Sequence, residues 1–163
     1  MTRRQRLATG LTVLLLAFAA CTSGGSKPMR DVQHLTITIA RPPAAVYEFA
    51  SDPRNMPRWA AGLARTQMRQ EGDEWIADAP MGKVRVRFAP RNSFGVIDHD
   101  VTLESGETIH NPMRVLPHGD GSEFVFTLFR RPGVSDEQFA ADKRAVKKDL
   151  KRLKEVLEEQ SSS

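Results

Sequence analysis

Residues 135–159 read SDEQFAADKRAVKKDLKRLKEVLEE, and this stretch decides the fold. Phe139, Val146, Leu150, Leu153 and Leu157 recur at helical spacing, while the opposite side is lysine, arginine and glutamate. Ser135 is a strong N-cap, and Gln138 three residues on completes a capping box. Asp136 and Glu137 suit the positive end of the helix dipole. The stretch therefore predicts a long amphipathic helix whose apolar stripe needs a partner surface. A basic side built from Lys143, Arg144, Lys147, Lys148, Lys151, Arg152 and Lys154 reads as a solvated face balanced by Asp149, Glu155, Glu158 and Glu159, with anionic headgroups as the alternative partner.

The partner surface lies upstream. Residues 32–40 alternate, with Leu35, Ile37 and Ile39 on one side and His34, Thr36 and Thr38 on the other. Arg41, Pro42 and Pro43 end that strand and open a short helix over residues 44–51, which Asp52 and Pro53 break; a second short turn covers residues 53–59. Strand patterns then follow over residues 64–69, 75–78, 83–88, 96–103, 108–116 and 123–131. Turns are expected at 71–73, 80–82, 104–107 and 117–121, with a loop at 92–95. The cleanest alternation sets Val84, Val86 and Phe88 against Lys83, Arg85 and Arg87, so one sheet face is wet. The expected class is α+β: a curved antiparallel sheet of about seven strands packed on the long C-terminal helix.

Strand, two short helices, six strands and one long helix resembles the helix-grip, START-like (SRPBCC) superfamily. Residues 37–59, ITIARPPAAVYEFASDPRNMPRW, look like the opening of such proteins, which include polyketide cyclases/dehydrases and lipid-transfer domains. Residues 95–101 (GVIDHDV) and 124–131 (FVFTLFRR) resemble a bacterial subgroup of them. The resemblance implies a cavity between sheet and C-terminal helix that takes a small hydrophobic molecule or lipid. It does not choose between a binder, an enzyme and a packed interaction domain, because one fold hosts many activities.

The N-terminus reads as an address. Arg3, Arg4 and Arg6 precede an apolar run from Leu7 to Ala20, and small residues lead to Cys21, the single cysteine. The run is too short to be a comfortable permanent span, which needs about 20 residues. The pattern resembles a bacterial lipoprotein signal in which Cys21 is lipidated. Phe18 stands where leucine is usual, and Ala17-Phe18-Ala19 also fits ordinary signal-peptidase cleavage to a secreted or periplasmic soluble protein. The expected organisation is a signal peptide over 1–21, a tether over 22–31 and one domain over 32–160. The location is then the cell envelope, membrane-anchored through Cys21.

Charge narrows the partners. The formal net charge of +4 falls to +1 without Arg3, Arg4 and Arg6, so the domain has no general field for gathering nucleic acid. About 140 residues remain after the signal, enough for a core without metal or disulfide staples.

His99 is the sharpest candidate for chemistry. Period 2 puts it on one side with Ile97, Val101 and Leu103, where a ring could bind a ligand oxygen or act as acid/base. A core histidine satisfied by a backbone carbonyl is the plainer role. Asp98 and Asp100 face the other way, toward surface charge pairing. Asn111 shares a register with Ile109, Met113 and Val115; it is either a hydrogen-bonding group in the cavity or the mark of a kink before Pro112. Trp75, Phe88, Met113 and Thr127 complete the expected ligand-binding set. Trp59 could line a pocket mouth, and Met68 and Met81 could give a pliable lining. No GxSxG, Walker, GxGxxG or HExxH pattern is present, and His34, His99, His110 and His118 have no zinc-like spacing. Neither a metal nor a cofactor is expected. The leading expectation is a non-catalytic binding protein for a small hydrophobic ligand. A polyketide cyclase/dehydrase-like enzyme using His99, with Asn111 or Thr127 orienting the substrate, is the first alternative. A non-catalytic envelope interaction protein is the second.

Overall fold

The computed structural model describes residues 31–63, 66–79 and 82–159. The signal peptide, Cys21, most of the tether, Ala64, Arg65, Pro80, Met81 and residues 160–163 lie outside the described residues.

Among the described residues, eight strands and three α-helices follow in chain order: β1 (Val32–Ile39), α1 (Pro43–Ala50), α2 (Met56–Trp59), β2 (Arg69–Glu71), β3 (Glu74–Ala79), β4 (Gly82–Phe88), β5 (His99–Thr102), β6 (Thr108–Asn111), β7 (Met113–His118), β8 (Gly121–Phe129) and α3 (Asp136–Glu159). All ladders are antiparallel. One sheet runs β1-β8-β7 and the other β2-β3-β4-β5-β6. A bridge between Val96 and Arg114, with the Ile97 N–H donating to the Met113 carbonyl at 3.0 Å, joins them into one curved surface. With α3 laid along it, this is the helix-grip arrangement.

The break between β6 and β7 is where the structure departs most from the expected pattern. Residues 108–116 form two strands rather than one, because Pro112 has no N–H to continue a ladder. β6 pairs with β5, and β7 pairs with β8. The Asp98 carboxylate accepts the Met113 N–H at 2.9 Å and pairs with Arg114, so the kink leaves no orphaned donor there. Asp98 is thus more than a surface charge. Asp100 is the expected surface pair, made with His110 at 2.7 Å.

Other boundaries shift for local reasons. No strand covers 66–68; Thr66 instead closes the turn after Leu63, through both its N–H and its hydroxyl, and β2 begins at Arg69. β5 begins at His99 rather than at Val96, because the Asn92 side chain holds the loop over residues 92–96. Its amide oxygen accepts from Phe94 and Val96, and its NH2 donates to Pro90 and Val96. Gly95 sits at φ +70° in that loop, and a Cβ there would lie 2.2 Å from the Val115 carbonyl oxygen, so the close approach needs glycine. Pro117 and His118 stay in β7, and the turn is Gly119-Asp120 alone.

α3 has the expected span. Its capping box is reciprocal: Gln138 N–H donates to Ser135 Oγ at 3.2 Å, and Ser135 N–H donates to Gln138 Oε1 at 2.9 Å. The helix runs beside β1, stitched by Lys143 Nζ to Gln33 Oε1 (2.9 Å), Lys154 Nζ to the Thr38 carbonyl (2.7 Å) and Ala40 N–H to Glu158 Oε1 (2.7 Å). Leu150, Leu153 and Leu157 join the core with Leu35, Ile39, Phe124, Val46, Ala50, Met56 and Trp59, so α1 and α2 share the surface that the C-terminal half of α3 covers. Val156 is buried beside that stripe, an addition to it. Val146 is only partly buried, and Phe139 lies outside the core, with the Arg130 guanidinium 6.0 Å from its ring centroid. Asp149 accepts the Ala61 N–H at 3.1 Å, which ties α3 to the segment after α2; burial raises its pKa.

Candidate functional site

The packing is uneven, and the unevenness locates the site. The C-terminal half of α3 packs its apolar side against β1 and the short helices. Farther along, inward-facing side chains lose their cover. Trp75, Phe88, Val101, Ile109, Phe126 and Leu128 all face the core side, with the cross-strand pairs Trp75–Val86, Val101–Ile109 and Phe126–Met113. Each nevertheless stays only partly buried. Between this surface and the N-terminal half of α3 lies a pocket of about 200 Å³. Ile109, Asn111, Phe126 and Leu128 line it from the sheet, and Asp142, Ala145 and Val146 from the helix; His110, Phe129 and Arg131 complete the lining.

Besides His110, Arg131 and Asp142 in the lining, the inner sheet face carries one inward polar pair. His99 pairs with Phe88 on β4 and with Asn111 on β6, so the three share one face. The His99 ring stacks on Phe88 at 4.9 Å with an interplanar angle of 21° and is 5% exposed. Its Nδ1 lies 3.5 Å from the Ile97 carbonyl, and its Nε2 lies 3.4 Å from Asn111 Nδ2. Burial lowers its pKa to about 4, outweighing the Ile97 carbonyl and the carboxylates of Asp100 and Asp98, so the ring is neutral near pH 7. One proton then has to serve two nitrogens. A carbonyl only accepts, so Nδ1 carries the proton, Nε2 is an acceptor, and the Asn111 NH2 donates to it. Any other tautomer or amide orientation sets lone pair against lone pair.

The expected ligand-binding residues are not all brought together. His99, Asn111 and Phe88 meet, and Asn111 alone of the set also lines the pocket. Trp75 lies on the same inner face, one strand farther out. Met113 is fully buried beneath it, 0% exposed, and packs rather than lines. Thr127 points the other way: it pairs with His34, and its hydroxyl lies 3.1 Å from His34 Nδ1 on the outer face. Residues 123–131 are apolar on both faces, so alternation in that strand alone could not place Thr127. The missed lining residues, Phe126 and Leu128, occupy the inward register instead. The signal that finds them is the clean alternation of β1, because Leu35 pairs with Phe126 and Gln33 with Leu128.

Trp59 is core, with its indole nitrogen buried and unpartnered among the described residues. It borders a larger groove of about 350 Å³ between α2 and the charged side of α3, lined by Arg58, Lys148, Lys151, Arg152 and Glu155 among others. That groove is not the space between sheet and helix. It has neither the open inner sheet face nor the His99–Asn111 pair, so the smaller pocket is the candidate site.

Fold and site together define a helix-grip domain with a half-open apolar pocket. Residues 32–158 match the family described as polyketide cyclase / dehydrase and lipid transport, and the chain belongs to that family. No curated protein matches the chain. Among solved structures, it is similar to the protein XoxI from Bacillus cereus, with a TM-score of 0.62, 14% identity, and coverage of 80% of this chain and 97% of that one. It is similar to KanY, with a TM-score of 0.60, 16% identity, and coverage of 79% and 98%. It is also similar to DynU16, a protein of the dynemicin biosynthetic locus, with a TM-score of 0.61, 15% identity and coverage of 78% of this chain but 47% of that one. At such identities the likeness is one of fold.

Proposed function

We propose that this chain is an exported, lipid-anchored binding protein that holds a small apolar molecule between the inner sheet face and the N-terminal half of α3. The observation that carries the reading is the set of inward apolar side chains left partly buried around the 200 Å³ pocket. Such a surface gains from a guest. Burying about 200 Å² of apolar ligand contributes roughly 5 kcal/mol before the costs of association, enough for modest affinity. Native mass spectrometry of the chain purified from a bacterial membrane fraction should reveal a retained small molecule, and an apolar fluorescent probe should be displaced by it. A protein that carries no ligand and takes up no probe would refute the binding reading. Anchoring rests on Arg3, Arg4, Arg6, the apolar run and Cys21. Its test is palmitate labelling in a bacterial host: Cys21→Ser should abolish the label, and an unlabelled parent chain would leave the secreted or periplasmic alternative.

One observation favours a second reading, a cyclase/dehydrase-like enzyme: His99 and Asn111 are in contact next to the pocket. A neutral ring with a pKa near 4, its Nε2 lone pair already held by Asn111, is a weak base at pH 7. Binding is therefore the stronger reading. His99→Ala that removes a measurable turnover while leaving probe affinity intact would reverse that order.

A further inference from the structure

We infer that the molecule this pocket takes carries a hydroxyl group, held by the side-chain amide of Asn111. The inference rests on the binding reading above and adds the polar half of the ligand's chemistry. The chain of hydrogen bonds has a fixed direction. The Ile97 carbonyl accepts from His99 Nδ1, and His99 Nε2 accepts from the Asn111 NH2. Asn111 is therefore committed as a donor on its buried side. What it has left is the amide oxygen and the second N–H, and neither has a partner among the described residues. On the sheet, Ile109, Phe126 and Leu128 are apolar; across the pocket the Asp142 carboxylate on α3 only accepts, so it answers one of a hydroxyl's two valences where Asn111 answers both. Arg131 is taken by Glu107 at 2.8 Å, and His110 by Asp100.

A hydroxyl answers both remaining valences, donating to the amide oxygen and accepting from the N–H. A ligand whose oxygen can only accept dehydrates the Asn111 oxygen and gives nothing back, which is the costly case for a buried acceptor. A hydrocarbon wastes both. The pocket should therefore rank hydroxyl-bearing guests first, and its volume of about 200 Å³ has room for about two fused rings.

The test compares naphthol with its methyl ether and with naphthalene, by calorimetric titration into the full chain in lipid nanodiscs, with empty nanodiscs as the partition control. The expected result is naphthol binding about tenfold more tightly than the ether. In Asn111→Leu the two should bind alike, at the strength of the hydrocarbon. Equal affinities in the parent protein overturn the hydroxyl inference and leave the binding function standing. Binding of none of the three overturns both. The comparison within the parent protein decides the matter even if Asn111→Leu fails to fold.

Discussion

His99 sits in a place where a proton is expensive. Its ordinary pKa is 6.5, and burial lowers it to about 4 in the folded chain. The unfolded chain takes up a proton as pH falls through 6.5, while the folded chain resists until about 4. His99 therefore contributes stability that is fully present above pH 6.5 and is lost as pH falls through 4, about 3 kcal/mol in all. The lowered carboxyl pKa values of Asp52, Glu123 and Glu158 push the same way, in a more acid range. His99→Phe, which keeps a ring against Phe88, should have a flatter stability profile between pH 6.5 and 4, measured by urea unfolding at several pH values. That His99 faces inward is legible in the sequence, since period 2 ties it to Ile97 and Val101. That it meets Asn111 is not. Their contact depends on the pairing register of β5 with β6, which the hairpin over residues 104–107 sets only once the strands are docked. Thr127 shows the same limit, because a strand apolar on both faces carries no mark of which face is wet.

Elements with a local cause were the most legible. The start of α3 follows from residues within its first turn, and the capping box over Ser135 and Gln138 has both of its hydrogen bonds. Ser135→Ala should cost about 1 kcal/mol in chemical denaturation, with the loss appearing as fraying of the first turn by circular dichroism. The break at Pro112 was half legible. Proline forbids a continuous ladder, but the alternation of Ile109, Asn111, Met113 and Val115 runs straight through it, so the pattern alone reads as one strand. What resolves the conflict is distant in sequence: Asp98 supplies the acceptor that the Met113 N–H needs. The strand over 64–69 failed for the opposite reason. It alternates, but Thr66 is occupied in closing a turn, and no strand covers the described residues 66–68.

At the scale of the molecule, the sheet, the gripping helix and their order were readable because each is written in a periodicity. The pocket was not, because it depends on where α3 stops covering the sheet. If the site binds as proposed, ligand at one hundred times its dissociation constant should stabilise the fold by about 2.7 kcal/mol, read as a rise in midpoint temperature. The kink at Pro112 has a consequence of its own. It divides the curved surface into an inner band, β1, β8 and β7, part of which α3 clamps, and an outer band, β2 to β6, joined to the first through a few hydrogen bonds near Ile97 and Met113. Amide protons of β3 and β4 should therefore trade with deuterium sooner than those of β1 and β8, and the outer band should breathe as a single leaf. Guests would then enter beneath its moving edge, while the clamped band stays shut.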